Sequence, residues 1–192
     1  LDQLGRASTL ICALELERRK DPQLLGKWPF EIGLWVGQSG TPNKLGHKGD
    51  GDDNSARSRV LAWSGGDNKP IPIDNCPWCG TELGKASLLD DRPAVVRGVF
   101  RLLPDADHPK ELRVCCRNRQ CRFSGDSTLP LVAVDEMLYQ RLPAFVIATV
   151  DKFAALPWVG ATGKLFGRVS HAQPGKGFFG PSDGSDQAGG LL

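Results

Sequence analysis

Four of the six cysteines in this 192-residue chain are spaced to hold a metal. They form two short knuckles, Cys76-Pro-Trp-Cys79 and Cys116-Arg-Asn-Arg-Gln-Cys121. Zinc takes four thiolates in a tetrahedron, and paired Cys-x2–4-Cys turns supply them. Gly80 follows the first knuckle and suits the tight turn behind it. The 36 residues between the two pairs exceed ordinary ribbon spacing, which predicts strands inserted between the knuckles. A closed four-cysteine set leaves no coordination position for a substrate, so the zinc is read as structural. Cys115 competes with Cys116 for the third place. On a strand the two point to opposite sides, and Cys116 gives the shorter knuckle. Cys12 falls in an apolar helical stretch and is read as core. This cysteine usage fits a reducing cytoplasm better than a disulfide framework.

Positive charge gathers around the same knuckles. Between positions 92 and 122, eight Lys or Arg stand against Asp105, Asp107 and Glu111, a net +5, whereas the whole chain carries +2. Arg117, Arg119 and Arg122 surround the second knuckle and are suited either to phosphate contact or to a solvated basic face. Two other motifs carry less. Val159-Gly-Ala-Thr-Gly-Lys-Leu165 resembles a phosphate-binding loop, but only two residues separate its glycines. Leu165 also stands where that loop needs a hydroxyl for magnesium, so Lys164 is given no nucleotide role. Leu131-Val-Ala-Val-Asp135-Glu136 resembles an apolar strand ending in an acidic metal-binding pair; Asp135 is read instead as the cap of the helix that follows.

The elements that must position these groups are read from periodicity. Leu4, Ala7, Ile11 and Leu14, with Leu10 beside them, predict a helix over 4–20. Glu15 and Arg19 form an i,i+4 pair, and Asp21-Pro22 stops the helix. Phe30, Ile32, Leu34 and Val36 share one face of a strand over 30–36, which runs into the small-residue turn Gly37-Gln-Ser-Gly-Thr-Pro-Asn43. Residues 44–70 read as a long exposed loop with a short helix near 55–63. Strands are expected over 95–103 and 112–116, a further apolar run over 129–134, and a helix over 135–141 that Pro143 ends. The stretch 144–149 is apolar without alternation, which suits a parallel strand buried on both faces. From Gly167 onward Gly, Pro, Ser and Asp predict a loop. No apolar run approaches the roughly 18 residues of a membrane span.

The segment Phe145-Val-Ile-Ala-Thr149-Val-Asp151-Lys152-Phe153-Ala154 resembles a superfamily 2 helicase. In the first RecA-like domain of that family, a strand ending in threonine enters a helix and touches the nucleic-acid backbone. The strand over 30–36 with Gly37-x-x-Gly40-Thr41 resembles an earlier backbone-contacting element. The match is more specific to the helicase subunit of DISARM-type phage-defence systems. It is carried by Leu10-Ile-Cys-Ala-Leu14, Ile32-Gly-Leu-Trp-Val-Gly37 with Thr41-Pro-Asn43, Cys76-Pro-Trp-Cys-Gly80, Thr149-Val-Asp-Lys-Phe-Ala154, Leu165-Phe-Gly-Arg-Val169 and Gly177-Phe-Phe-Gly-Pro181.

The resemblance implies an α/β fold, a partial RecA-like helicase domain with an inserted β-rich four-cysteine zinc ribbon. Residues 1–45 and 127–166 would belong to the motor, 46–70 to the exposed loop, 71–126 to the zinc ribbon and 167–192 to a Gly-rich tail. It implies nucleic-acid contacts at Gly37, Gly40, Thr41, Asn43, Thr149 and Lys152, to which the charge pattern adds Arg117 and Arg119. In that family the ATP-binding loop lies upstream of Leu1 and the acidic magnesium motif after the 149–154 element. The chain is therefore expected to be an internal piece of an ATP-dependent DNA helicase or translocase, with no catalytic residue of its own. ATP and Mg2+ would serve only the complete protein. The implied partners are single-stranded or duplex DNA and other subunits of a defence complex, in the cytoplasm and without a membrane. The alternative is a stand-alone zinc-ribbon module that binds nucleic acid or protein without catalysis.

Overall fold

The computed structural model describes residues 2–63, 69–84, 99–158, 160–173 and 177–180. The first helix, α1, spans Asp2–Lys20 and ends on Arg18, Arg19 and Lys20, cations that complement the negative end of the helix dipole. Its buried stripe is Leu4, Ser8, Ile11, Glu15 and Arg18, with Cys12 beside it. Leu10 and Leu14, expected inward, are 60% and 42% exposed. Pairing is what allows polar residues inside. Glu15 accepts from Arg18 Nε at 2.7 Å, from Arg19 Nε at 2.9 Å and from the Phe30 backbone N–H at 2.9 Å. A carboxylate so satisfied can be buried, and its helix turns to face it inward.

Three parallel strands, β1 (Ile32–Trp35), β4 (Leu131–Val132) and β5 (Phe145–Ala148), form a sheet in the order β4-β1-β5. Both expectations about burial are reversed. The alternation over 30–36 suggested one buried face, yet all four residues of β1 are buried, because it is the central strand. The unbroken apolar run of β5 suggested burial on both faces, yet Phe145 is exposed and the rest are half-buried. The helix α3 (Asp135–Arg141) crosses close over β1 at Gly33, where a Cβ would lie 2.5 Å from Leu138 Cδ2 and 2.7 Å from Pro143 Cγ. Any larger residue there would push α3 off the sheet.

The helix α2 (Ala56–Ala62) is capped by Ser55, whose hydroxyl accepts from the Ser58 N–H at 3.2 Å. The stretch expected as an exposed loop is therefore partly core. Ala56, Val60 and Trp63 are buried, and Trp63 packs edge-on against Phe100 with ring centroids 4.9 Å apart. Between the knuckles, β2 (Phe100–Leu103) and β3 (Glu111–Val114) pair antiparallel. The first part of the expected 95–103 strand lies outside the described residues, as do positions 64–68.

The tail expected as a loop contains an antiparallel hairpin, β6 (His171–Gln173) with β7 (Gly177–Phe179). It is anchored by Phe178 against Trp28, ring centroids 4.5 Å apart. Gly177 takes φ +126°, and a Cβ there would meet the Gln140 carbonyl oxygen at 2.5 Å, so only glycine fits. Residues 181–192 lie outside the described set.

One feature of the interior has no counterpart in the sequence reading. Glu31, 2% exposed, accepts from Arg113 Nη1 at 2.7 Å and from Arg141 Nε and Nη2, both at 2.9 Å. Arg141 also stacks over Trp28, 4.8 Å from the ring centroid. This node ties the entry of β1 to β3 and to the end of α3. A continuous cluster of buried apolar residues links α1, the parallel sheet, α2, the β2–β3 hairpin and the cysteines. The four-cysteine region is thus packed into the same interior as the strands around it.

Candidate functional site

Cys76, Cys79, Cys116 and Cys121 converge, their Sγ atoms all within 4.8 Å of one another. Cys76 and Cys121 stand 3.8 Å apart and Cys79 and Cys116 3.5 Å apart. A tetrahedral ion with sulfur at about 2.3 Å requires S···S edges of about 3.8 Å, so the four thiols fit a zinc-sized ion. The turns are built for this. Cys76 N–H donates to the Thr81 carbonyl and Gly80 N–H to the Cys76 carbonyl, both at 2.8 Å, with Gly80 at φ +74°. In the second knuckle the Asn118 N–H points at Cys116 Sγ and the Phe123 N–H at Cys121 Sγ, each at 3.4 Å. Amide donors on sulfur stabilise the thiolate that a metal needs.

Electrostatics divides the four. Burial pushes the Cys76 thiol up to about 11 and raises Cys116 further. Cys79 is also raised by burial, but hydrogen bonds with Thr81 and the neighbouring thiols outweigh that and bring it down to about 6. Cys79 is the exposed member of the four.

Cys115 lies outside the cluster. Its side chain turns the other way, Sγ 3.5 Å from the Gly125 carbonyl and 4.0 Å from Arg101 Nη1. Cys12 is 1% exposed, and burial together with the charges of Cys76 and Cys121 pushes it up to about 12. It is core, but core set directly beside the metal centre. α1 is further fixed there by Thr9 Oγ1 donating to the Pro77 carbonyl at 2.8 Å and by Arg19 lying 5.2 Å over the Phe123 ring.

The second candidate region lies at the carboxyl ends of the parallel strands, where open α/β sheets place ligands. The turn after β1 brings Gly37 to Asn43 against the start of α3. Asp135 N–H bonds the Pro42 carbonyl at 3.3 Å and Glu136 N–H the Asn43 carbonyl at 3.1 Å. The amides of Gly40 and Thr41 turn back onto the Gly37 carbonyl at 2.8 and 3.2 Å, and Thr41 is fully buried. Thr149, at the end of β5, is exposed and caps the helix α4 (Val150–Ala155) by position, its hydroxyl bonded to Asp151. Lys152 points inward: its Nζ lies 2.6 Å from Asp135 Oδ2, which also accepts from Trp35 Nε1 at 3.1 Å.

Asp135 does not cap its helix. Val134 occupies the cap position, and the Asp135 side chain is committed to Trp35 and Lys152. Burial raises its pKa, Lys152 and Trp35 pull the other way, and its Oδ1 is buried with no hydrogen-bond partner. The Asp135–Lys152 pair joins the ends of β4 and β5, and the sequence holds no local signal for it, since the two residues are 17 apart.

The basic cluster is only partly a surface. Arg113 is turned into the Glu31 node, and Arg101 donates to the Gly125 carbonyl at 2.8 Å. Arg117, Arg119 and Arg122 are exposed on the second knuckle; Arg92 and Arg97 lie outside the described residues. The phosphate-loop lookalike is a 3-10 helix, Gly160–Phe166, in which Thr162 Oγ1 donates to the Leu156 carbonyl at 2.7 Å. That geometry offers no cradle for phosphates. No described helix is long and apolar enough to cross a membrane.

These observations define a mixed α/β protein with a four-cysteine centre that fits a metal. No family model matches the chain. The chain is 34% identical over 172 residues to the DISARM protein DrmA of Bacillus paralicheniformis, a match that covers 88% of this chain and 14% of that protein. The similarity supports a relation to the DISARM proteins, and the chain spans 14% of the length of the curated relative it matches.

Proposed function

We propose that this chain is part of the first RecA-like motor domain of an ATP-dependent DNA helicase or translocase of a DISARM-type antiphage defence system. The observation that carries the reading is the agreement between sequence similarity to a DISARM protein and the placement of two polar segments. Gly37–Asn43 and Thr149–Lys152 leave the same ends of β1 and β5, adjacent parallel strands. In this reading Thr149 donates its hydroxyl to one strand's backbone, Gly37 and Gly40 allow that backbone close approach, and Lys152 supplies charge when released from Asp135. Such contacts hold a strand without reading its sequence. ATP and Mg2+ would be held by other parts of the longer protein, and DNA and further defence subunits would be its partners. The cysteine centre would hold one structural Zn2+.

The test uses the longer gene product. Replacing Thr149 and Lys152 together by Ala removes two backbone contacts, one of them charged. DNA-stimulated ATP turnover should fall by about tenfold or more while DNA-independent turnover persists. Equal stimulation in variant and parent overturns the reading. So does a gene product with no G-x4-G-K-[S/T] loop and no strand ending in Asp-Glu.

The four-cysteine centre favours a second reading, a zinc module that binds nucleic acid or protein without catalysis. It predicts no ATP turnover in the longer product at all.

A further inference from the structure

The metal centre carries a surface that neither its ligands nor the strand-end site explain. Trp78 sits inside the first knuckle, between Pro77 and Cys79, and is 39% exposed. The ring is held rather than loose: it meets Phe123 edge-on, centroids 6.0 Å apart and planes at 77°. Phe123 is fully buried and is itself fixed by Arg19 on its other contact. One aromatic is anchored in the core, and the other packs on it while remaining partly exposed.

The second knuckle brings charge to this ring. Cys79 and Cys116 approach to 3.5 Å, which puts Trp78 and Arg117, each one residue from a joined thiol, on neighbouring turns. Arg119 and Arg122 are exposed on the same short turn. The three guanidiniums more than offset the net −2 of four thiolates on Zn2+, and Asp74 and Asp126 beside the knuckles are paired with Lys69 and Arg101. An exposed, anchored aromatic beside exposed guanidiniums matches the chemistry of single-stranded nucleic acid, whose bases stack while its phosphates pair. A partly exposed aromatic beside three exposed guanidiniums favours a ligand that offers planar bases and phosphates together.

We propose that Trp78 is a base-stacking platform on the metal centre, working with Arg117, Arg119 and Arg122 as one single-stranded nucleic-acid interface. The proposal deepens the reading of the chain as a strand-binding part of a motor, and rests on it for the nature of the ligand. Stacking is sequence-tolerant, in keeping with contacts that do not read bases.

The experiment measures binding of the zinc-loaded chain to three probes: oligo-dT, oligo-rU and an abasic deoxyribose-phosphate oligomer of equal length. Trp78→Ala should weaken oligo-dT and oligo-rU binding about 5- to 100-fold, the range expected for losing one stacked base, and leave the abasic oligomer unchanged. Trp78→Phe should recover most of the loss. Arg117→Gln with Arg119→Gln should weaken all three probes and reduce the salt slope by about 1.4 for single strands. Zinc content measured on every variant confirms that the knuckles remain folded. If Trp78→Ala binds all probes as the parent does, the platform is overturned. If the arginine variants lose binding while Trp78→Ala does not, the interface stands and only the stacking role falls. If the parent binds none of the probes, both fall.

Discussion

The cysteine centre and the strand ends were both expected to carry function, and they differ in where the information lies. The knuckles are local. Each knuckle pairs two thiols within five residues of one another, and the two pairs, Cys76 with Cys79 and Cys116 with Cys121, meet in one cluster. The strand-end groups are defined by what packs against them. Thr41 is fully buried and Lys152 is paired with Asp135, two facts that depend on β4 and β5 lying on either side of β1. Metal chemistry imposes its own geometry on a short sequence, whereas a lysine acquires its role from residues far along the chain.

The sharpest way to break this contrast is to remove the metal. Cys116→Ser should abolish zinc binding and unfold the region, because structural zinc contributes apparent binding energies of about 10–16 kcal/mol in small domains. Cys115→Ser should retain about one zinc per chain. Elemental analysis of purified protein checks both, and a Cys116→Ser chain that keeps its metal would show that the assignment of ligands is wrong.

The next effect belongs to the buried carboxylate that joins the entry of β1 to the hairpin. Glu31→Ala leaves the buried Arg113 and Arg141 with Glu111, at 2.7 and 4.0 Å, in place of two carboxylates and should destabilise the fold by about 3–5 kcal/mol. Chemical denaturation with unchanged m-value measures it; a loss under 1 kcal/mol would mean the arginines escape to water.

A smaller effect would show that Lys152 is held back. Asp135→Asn removes the anion at 2.6 Å from Nζ, and should raise affinity for oligo-dT several-fold while steepening its salt dependence by about one phosphate's worth. Lys152→Ala should lower it by a similar factor. If the two substitutions move affinity in the same direction, the pair is only a brace.

The last effect concerns pH. Burial raises the Glu15 carboxyl, but bonds from Arg18, Arg19 and the Phe30 N–H outweigh it and hold the pKa below its usual value. Its folded pKa is depressed, so its stabilisation is fully present above the ordinary carboxylate range. It is lost as pH falls through the folded value. Asp135 runs the other way: burial raises it, so protonation below its folded pKa relieves a penalty. Thermal melts between pH 6 and pH 3 should show Glu15→Gln flattening the acid loss, and Asp135→Asn leaving that loss in place.

Much of the local structure was legible. Ser55 marks the start of α2, Asp135 and Arg141 bound α3, and Thr149 stands where β5 gives way to α4. The rotation of α1 was not, because periodicity weighs Leu10 and Leu14 as core and cannot know that Glu15 and Arg18 neutralise each other inside. The burial of β1 and β5 was exchanged for a related reason. Whether a strand is central or at an edge is decided by neighbours a hundred residues away, not by its own alternation. The 171–179 hairpin was hidden by small residues, among them Gly177, whose value lies in the side chain it lacks.

The contact between α1 and the metal centre has a consequence in time. Thr9 waits for Pro77, 68 residues later, and Cys76 waits a further 45 residues for Cys121. A ribosome adding roughly 5–20 residues per second leaves about 2–9 s between the emergence of the two knuckles. During that interval the helix made first has half a clamp, and the Cys76 and Cys79 thiols are reduced, unligated and open to other metals or oxidants. In the proposed zinc-bound form, completion of the four-thiol set is therefore the event that closes this part of the chain.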